Sequence, residues 1–471
     1  MSPSSRADRV AVIGGGYAGL AAAVTLANAA RPVTVFEQGA TLGGRARRVV
    51  LDGVPLDNGQ HLALGGYRTL LDLIRTVHDP VSARALFARL PLTLTPFGAA
   101  HPGPVALRAK PLPAPLHLGL ALLLARGLTW NERLALAGGY RLLERAGFRC
   151  PPGQSVAECF AATPRRAFNA LWAPLCLAAL NTAPERASAQ IFANVLREAF
   201  SGSASDSEFL IPACDLTELF PAAAARFVAE RNGTVRTGVA VRRFGVEGHA
   251  ITVTTRDGVD RFAAVVVAVG PHQLAGLGCD DLDRGRSVAE PCSGGKTESH
   301  AATPWGSVQA NVSAFRYEPI TTVYLGYPDP VDLPVPVTRL DDAPGQWAFD
   351  RSSALASNAP AGVRSLLAVV ISASGSHDRD PHPALAGRVD AQLRRLSPGL
   401  PRAVWSRVIA ERRATWACEP GLVRPNAGRV SPRLYLAGDY TDPDLPATLE
   451  AAVRSGVTAA RAVLADQPLS R

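Results

Sequence analysis

The N-terminal pattern of apolar and polar positions predicts a strand, a glycine-rich turn, a helix and a second strand. Val10–Ile13 is a continuous apolar run, which is typical of a strand that is buried on both faces. An alanine-rich stretch from Tyr17 to Ala29 predicts a helix, and Val33–Phe36 predicts the next strand, which ends at Glu37. This order is the opening unit of a dinucleotide-binding α/β fold.

The middle of the chain changes from a helical to a strand-like pattern. Residues 76–205 are predicted to be mostly helical, with capping boxes at Thr129–Glu132, for a helix that ends near Gly147, and at Ser155–Glu158. Thr163 before Pro164 predicts another helix start, and further helices are predicted over 184–200 and over 215–232. From 234 to 270 the pattern predicts strands at Val239–Phe244, Ile251–Thr255 and Val265–Val269.

The remainder of the chain divides into an aperiodic stretch and a second strand-turn-helix unit. Residues 276–310 are rich in Gly, Ser, Asp and Thr, so we interpret them as an irregular insertion. Strands are predicted at Thr321–Leu325 and Ser365–Ile371, and a helix is predicted at Pro383–Leu396. The tail predicts a strand at Leu434–Ala437, a Gly438–Asp439 turn and a helix from Ala447 to Leu464.

Composition and charge exclude several classes of protein. The chain has 471 residues, of which 47% are hydrophobic and 19% charged, so a disordered chain is excluded. The net charge is +9, but the arginines are scattered, so nucleic acid is not an expected partner. The seven cysteines form no C-x-x-C pair, which indicates neither a zinc site nor any other metal site, and favours reduced thiols in the cytoplasm. We find no signal-peptide pattern before the first strand.

Two glycine motifs predict the cofactor. Gly14–Gly19 matches G-x-G-x-x-G between a strand and a helix, and Glu37 follows at the spacing expected of a residue that binds a ribose. Leu42–Arg45 and the distant Gly438–Asp439 turn extend this signal. Asp439 can bind a ribityl hydroxyl, and the N-terminus of the helix after it can face the pyrimidine end of a flavin. Two such sites at opposite ends of the chain favour the long cofactor FAD.

The residues predicted to bind FAD come from these motifs and from the segments that flank them. They are Gly14, Gly15, Gly16, Tyr17, Ala18, Gly19, Glu37, Gln38, Gly43, Gly44, Arg45, Gly59, Gln60, His61, Val239, Gly438, Asp439, Ala447, Thr448 and Leu449.

At this point the whole chain resembles the superfamily of flavin-containing amine oxidases and phytoene desaturases. Within it, the chain is similar to the hydroxysqualene dehydroxylases, also described as squalene-associated FAD-dependent desaturases. The matching segments are Leu56–Tyr67, Leu171–Thr182, Ser188–Arg197 and Leu210–Pro221.

The resemblance implies a Rossmann-like FAD-binding domain interleaved with a mixed α+β substrate-binding domain, as in amine oxidases. We expect the FAD domain to comprise 1–75, 206–275 and 405–471. The substrate domain would comprise 76–205 and 276–404.

This chain also departs from the superfamily pattern. Thr41 stands where the superfamily has an arginine before the Gly-Gly-Arg motif, and Cys214–Asp215 replaces a glycine pair. The cage aromatic of amine oxidases is replaced by Ala452 or Val453, and their active-site lysine has no convincing counterpart. These absences argue against amine oxidation.

The resemblance implies reduction of hydroxysqualene to squalene by reduced FAD, within squalene and hopanoid biosynthesis, with an unknown electron donor. Loss of the allylic hydroxyl requires a general acid, and Asp57, His61 and Asp215 are the candidates. Each has a structural alternative: Asp57 as a turn residue, His61 as a buried histidine and Asp215 as a helix N-cap. Alternative functions are a carotenoid or phytoene desaturase, another amine oxidase-like enzyme, an RNA-binding flavoprotein and a non-catalytic flavin-binding scaffold.

One apolar segment bears on access of an isoprenoid substrate. Leu112–Ala125 is leucine-rich on every side, yet it would span about 21 Å as a helix, short of a ~30 Å bilayer core. It is therefore predicted to be either a core helix or a peripheral membrane contact through 112–126. The nearby arginines are expected either to face anionic headgroups or to form a solvated helix face, and they are Arg126, Arg133, Arg141 and Arg145. The expected location is cytoplasmic, with the membrane contact on the inner face of the inner membrane.

Overall fold

The computed structural model describes residues 8–98, 105–280, 303–355 and 359–467. In chain order, helices α1 to α15 are Tyr17–Asn28, Arg68–Val77, Pro80–Ala85, Leu116–Leu123, Trp130–Arg145, Val156–Cys159, Arg165–Ala167, Ala173–Leu180, Ala189–Phe200, Leu216–Leu219, Pro221–Glu230, Pro271–Leu274, Pro304–Ser313, His382–Leu396 and Leu449–Asp466. Phe168–Trp172 forms a π-helical turn between α7 and α8.

The strands are shorter and more numerous than the helices. In chain order, β1 to β22 are Val10–Ile13, Val33–Phe36, Arg48–Leu51, Val54–Asp57, Ala63–Leu64, Phe87–Leu90, Thr93–Leu94, Leu107–Arg108, Phe209–Pro212, Thr234–Arg236, Arg243–Glu247, Ala250–Thr255, Gly258–Phe262, Ala264–Val267, Gly278–Asp280, Tyr317–Tyr327, Val337–Arg339, Trp347–Asp350, Ser365–Ser372, Trp405–Trp416, Gly428–Ser431 and Leu434–Leu436.

A six-stranded sheet in the order β10-β2-β1-β14-β22-β21 forms the Rossmann-like part of the fold. All neighbours are parallel except the antiparallel β21–β22 pair. The central strands β1, β2 and β14 are apolar and fully buried, as expected of parallel strands that are covered on both faces. Helices α1 and α15 pack against each other beside this sheet. The predicted α/β fold class is confirmed.

A five-stranded antiparallel sheet, β17-β18-β19-β16-β20, forms the centre of the mixed α+β part. The amphipathic helix α14 packs on β16 and β20, and its apolar residues join the cluster that contains Val323, Leu367 and Val389. A four-stranded sheet, β13-β12-β11-β15, and smaller sheets complete the fold. The predicted division into two discontinuous domains stays a prediction.

Elements with a strong local signal were predicted well. The strands at Val10–Ile13 and Val33–Phe36 have the predicted bounds. Both capping boxes are present, and the helix after Thr129 ends at Arg145. Asp215 is the N-cap of α10 and accepts hydrogen bonds from the backbone N–H groups of Thr217 and Glu218.

Three predicted elements were wrong in their extent. Over 239–244 only the end is a strand, because β11 begins at Arg243. The helix predicted over 184–200 begins at Ala189, after the N-cap Ser188. The helix predicted over 215–232 is divided into α10 and α11 at Phe220, just before Pro221.

The stretch 276–310 was predicted to be irregular, but it begins with β15 and ends within α13. Its central residues, 281–302, lie outside the described residues.

The apolar segment after residue 112 forms the short helix α4, which packs against α5. Only His117 and Ala121 of α4 are buried, so the alternative of a core helix is wrong. Large apolar side chains on α4, on α5 and in the loop between them face solvent instead; we call this set the apolar surface, and it comprises Leu116, Leu123, Leu124, Trp130, Leu134 and Leu142. Among the helices that the structure describes, none is both long and apolar enough to cross a bilayer.

Candidate cofactor and active site

A cavity of about 780 Å³ lies at the carboxyl edge of the parallel sheet, next to the ends of β1, β2 and β14. Ligands of open α/β sheets bind at this edge. Residues from both glycine motifs line it together. Of the residues predicted to bind FAD, those that line the cavity are Gly14, Gly16, Tyr17, Ala18, Glu37, Gln38, Gly43, Gly44, Arg45, His61, Val239, Gly438, Asp439, Ala447, Thr448 and Leu449; Gly15, Gly19, Gly59 and Gln60 do not.

The glycines of the first turn have different structural roles. A Cβ atom on Gly14 would lie 2.5 Å from the Ala268 carbonyl oxygen, and one on Gly19 would lie 1.9 Å from the Gly14 carbonyl oxygen. These two positions allow close backbone packing. A Cβ on Gly16 would instead have open space, with its nearest neighbour, Gly44 Cα, 3.8 Å away. Gly16 therefore leaves room for a diphosphate at the N-terminus of α1.

The carboxylate of Glu37 is held in place by backbone donors. Gly15 N–H donates to Oε2 and Gly39 N–H donates to Oε1, each at 2.7 Å. Glu37 lines the cavity, so its remaining lone pairs can accept hydrogen bonds from ribose hydroxyls. Gly15, which lies outside the lining, thus acts through Glu37.

The second glycine motif supplies a carboxylate with an unused oxygen. Gly438 has a φ of +155°, and a Cβ there would lie 2.3 Å from the ring of Tyr440, so this turn requires glycine. Asp439 Oδ1 is paired with Arg45. Asp439 Oδ2 is buried and has no hydrogen-bond partner among the described residues. A buried carboxylate oxygen without a donor is unfavourable, and a ribityl hydroxyl of FAD would provide that donor.

Helix α15 begins at the same end of the cavity. Its N-cap Thr448 accepts a hydrogen bond from Ala451 N–H at 3.1 Å, and Ala447–Leu449 line the cavity. The other N–H groups of its first turn and the helix dipole favour negative charge here. This is the charge that develops at the pyrimidine end of a flavin on reduction.

His61 lies on the cavity wall, as an active-site residue must. Its Nδ1 is 3.0 Å from the Gly59 carbonyl oxygen, so Nδ1 carries the proton and Nε2 is an acceptor in the neutral ring. Burial is the main cause that lowers the pKa of His61, and the Arg45 cation adds to it. His61 is therefore neutral at pH 7.

Asp57 is placed differently from its predicted role. Its carboxylate lies outside the cavity lining, and it accepts hydrogen bonds from Leu216 N–H at 2.8 Å and from Arg351 at 3.2 Å. Burial raises the pKa of Asp57 to about 6 in spite of Arg351. The geometry favours the structural alternative, in which Asp57 binds backbone, over the prediction that it is the acid.

The neighbours of Asp57 also bond away from the cavity. Gln60 donates to the Tyr324 hydroxyl at 2.7 Å, and that hydroxyl donates to the Asp57 carbonyl oxygen at 2.8 Å. Asp215, the third candidate acid, caps α10 and pairs with Arg48 at 3.0 Å. Both contacts of Asp215 hold the fold together and leave its carboxylate engaged away from the cavity.

The polar residues on the wall that were not found from the sequence include three that lie far along the chain from either glycine motif or on other elements. Glu411 and Arg413 lie on β20, and His272 lies on α12. Burial, with Arg413 and Arg45 nearby, lowers the pKa of His272. All three belong to elements with no cofactor motif, so only the tertiary fold identifies them.

Comparison with known proteins agrees with this site. A profile of the family described as "Flavin containing amine oxidoreductase" matches residues 17–464. The chain belongs to the flavin containing amine oxidoreductase family. It is thus an FAD-dependent oxidoreductase, and the open space at Gly16 and the unpaired Asp439 Oδ2 fit that cofactor.

Individual known proteins are similar over nearly all of the chain. The hydroxysqualene dehydroxylase of Rhodopseudomonas palustris is 28% identical over 476 residues, which is 97% of this chain and 98% of the relative. That of Sinorhizobium fredii is 27% identical over 475 residues, with the same coverage. A solved oxidoreductase from Methanosarcina mazei has the same fold, with a TM-score of 0.67 and 16% identity over 97% of this chain and all of that one.

Proposed function

We propose that this enzyme converts hydroxysqualene to squalene. The observation that carries the proposal is the similarity, over 97% of the chain, to two proteins named hydroxysqualene dehydroxylase. The overall change replaces C–OH with C–H, so one hydride and one proton enter and one water leaves. Bound FAD, in its reduced form, supplies the hydride.

The protein must then supply the proton and a site that excludes water. His61 is the candidate for the proton, because it lines the cavity and its Nδ1–H is fixed on Gly59. The neutral ring can take a proton at Nε2 from solvent and pass it to the leaving hydroxyl. Asp57 holds the backbone of Leu216 instead and takes no part in this step.

A single-turnover experiment tests the reaction. The holoenzyme is reduced without oxygen and mixed with hydroxysqualene, and flavin oxidation and lipid products are followed together. We expect one squalene per flavin oxidised. A reduced flavin that hydroxysqualene leaves unchanged would overturn the proposal, and reduction of the oxidised enzyme by a polyene such as phytoene would assign a desaturase.

The role of His61 is tested in the same assay. His61→Gln should slow squalene formation by about a hundredfold or more. The matched control is His249→Gln, because His249 is exposed in a turn and does not line the cavity. Equal rates for both variants would exclude His61 as the proton carrier.

We further propose that the apolar surface rests on a membrane and gives the isoprenoid access to the enzyme. Trp130, Leu134 and Leu142 are each more than 60% exposed. Exposed apolar side chains are ordinary where they are scattered singly, whereas several together mark a surface that contacts a partner or a membrane. Arg126, in the loop between α4 and α5, and Arg141 and Arg145, on α5, are exposed and would attract anionic headgroups. This proposal places the enzyme on the cytoplasmic face of the inner membrane, as a peripheral protein.

Vesicle flotation tests this contact. The protein should bind phosphatidylglycerol vesicles more strongly than phosphatidylcholine vesicles. A triple variant in which Trp130, Leu134 and Leu142 are each replaced by Asn should bind vesicles about tenfold or more weakly, since each large apolar side chain contributes on the order of 1 kcal/mol. Asn at Val259 and Val404, exposed valines elsewhere, is the control. Absence of binding to either vesicle would refute the contact.

A further inference from the structure

Three arginines line the cofactor cavity, and their partners differ. Arg45 is paired with Asp439 and donates to the Ala414 carbonyl oxygen at 2.8 Å. Arg47 donates to the Gly44 carbonyl oxygen at 2.6 Å. The guanidinium of Arg413 has no hydrogen bond or ion pair within the described ranges; it lies 5.8 Å from the centre of the Tyr317 ring. Arg413 is thus a cation whose donors are all available.

The position of Arg413 is set by the loop that crosses the N-terminus of α1. Gly43 in this loop forms a bridge with Gly16. Arg45, two residues later, donates to the Ala414 carbonyl oxygen, and Ala414 directly follows Arg413. The loop therefore ties β20 to the glycine turn, and Arg413 lines the same cavity as that turn, whose helix N-terminus favours a diphosphate.

The charges on the wall match this assignment. Among the described residues, the carboxylates that line the cavity are those of Glu37, Asp439 and Glu411. Glu37 is held by two backbone N–H groups, and Asp439 is neutralised by Arg45. Glu411 accepts hydrogen bonds from Asn58 Nδ2 at 3.2 Å and from the backbone N–H of Arg413 at 3.3 Å. In the described part of the chain, no carboxylate lies within 4.0 Å of the side chain of Arg47 or of Arg413. A diphosphate in the cavity would bring two negative charges to these two cations, which have no carboxylate partner within the described ranges.

We propose that Arg413, together with Arg47, binds the diphosphate of FAD. Arg413 thereby supplies the positive charge that the sequence lacks at Thr41. An arginine suits this task because its planar guanidinium can donate two parallel hydrogen bonds to phosphate oxygens.

The test compares Arg413→Met with Arg412→Met in the holoenzyme. Arg412 is the exposed neighbour on the same strand and lies outside the cavity lining. FAD release after dilution is followed by the rise in flavin fluorescence, and ADP, which carries a diphosphate without a flavin, is used as a competitor. Arg413→Met should lower the affinity for FAD and the affinity for ADP by about ten- to a hundredfold, which is the effect of losing a charged hydrogen bond. Arg412→Met should change neither by more than about twofold.

A second measurement separates the diphosphate from the isoalloxazine ring. The reduction potential of bound FAD should be the same in Arg413→Met and in the wild type, because the charge acts at the diphosphate. Arg413→Lys keeps the charge and should recover part of the affinity. A shifted potential with unchanged ADP affinity, or unchanged affinity for both FAD and ADP, would overturn the proposal.

Discussion

The buried ion pair of Asp57 and Arg351 shows how desolvation disfavours a charged carboxylate. The two side chains are 3% and 7% exposed and lie 3.2 Å apart. Burial nevertheless raises the pKa of Asp57 to about 6. A carboxyl with a raised pKa in the folded state stabilises that state most at pH values below its ordinary pKa of about 3.9, and this contribution is lost as the pH rises through 6.

Arg351→Met should therefore destabilise the protein in a pH-dependent way. We expect a loss of about 3–5 kcal/mol in the free energy of unfolding at pH 7.5, because the carboxylate of Asp57 is left without its cation. The loss should shrink at pH 5, where Asp57 is protonated. Urea unfolding at both pH values measures this. Arg75→Met removes an exposed pair with Asp72 and should cost less than about 1 kcal/mol at either pH; an equal loss for Arg351→Met at both pH values would contradict the argument.

The addition of one methyl group should affect cofactor binding at Gly16 and protein stability at Gly19. Gly16→Ala points a methyl group into open space, so the free energy of unfolding without FAD should change by less than about 0.5 kcal/mol. FAD affinity should fall at least about tenfold, since the methyl group occupies the diphosphate site. Gly19→Ala forces a clash with the Gly14 backbone and should lower stability itself. Urea unfolding and FAD titration separate the two effects. If neither variant bound FAD more weakly, the assignment of the diphosphate site to Gly16 would be refuted.

Site residues could be predicted from the sequence where their motif is short and continuous. The glycine turn, Glu37 and Asp439 could be recognised because each motif is contained within a few residues. Arg413 and Arg351 could not, because their roles arise only where strands from distant segments meet. The ion pair of Asp57 could not be found from the sequence for the same reason, because its partner Arg351 is 294 positions away.

At the scale of elements, the contact between α1 and α15 depends on one glycine. A Cβ on Gly456 would lie 2.1 Å from the Ala18 carbonyl oxygen. Gly456→Ala should push the helices apart and cost about 1–3 kcal/mol, as overpacking does. Gly387→Ala, in a helix where a Cβ meets nothing within 4 Å, should instead stabilise by about 0.5–1 kcal/mol. Thermal unfolding of both variants checks the opposite signs, and a stabilised Gly456→Ala would show that the helices can separate freely.

Helices with capping boxes were predicted to within a few residues because the side chains of Thr129 and Glu132 close the first turn by themselves. The strand predicted at Val239 was wrong because tertiary contacts use its backbone. Gly238 N–H donates to the Gly39 carbonyl oxygen, and Val239 N–H donates to that of Glu37. Likewise, Ser188 N–H donates to the Cys418 carbonyl oxygen, which delays the start of α9.

At the scale of the whole molecule, strand β20 connects the two parts of the fold. It forms an edge of the five-stranded antiparallel sheet, yet its residues Glu411, Arg413 and Ala414 line the cofactor cavity. A domain boundary near residue 405, as predicted from the sequence, would assign this strand to the FAD domain alone. Because β20 pairs with β16 along most of its length, cofactor contacts on β20 are coupled to one edge of the other sheet.

Hydrogen exchange tests this coupling, because β17 is the opposite edge of the same sheet. Edge strands exchange by local opening, so the two edges report separately. Addition of FAD should slow exchange at Gly14–Gly19 and at Glu411–Ala414 by a similar factor, since ligand contacts stabilise both. Exchange at Val337–Arg339 should stay unchanged. Slower exchange in the glycine turn alone would mean that β20 forms the cavity wall without binding the cofactor, and equal slowing on both edges would mean that the ligand stabilises the sheet as one unit.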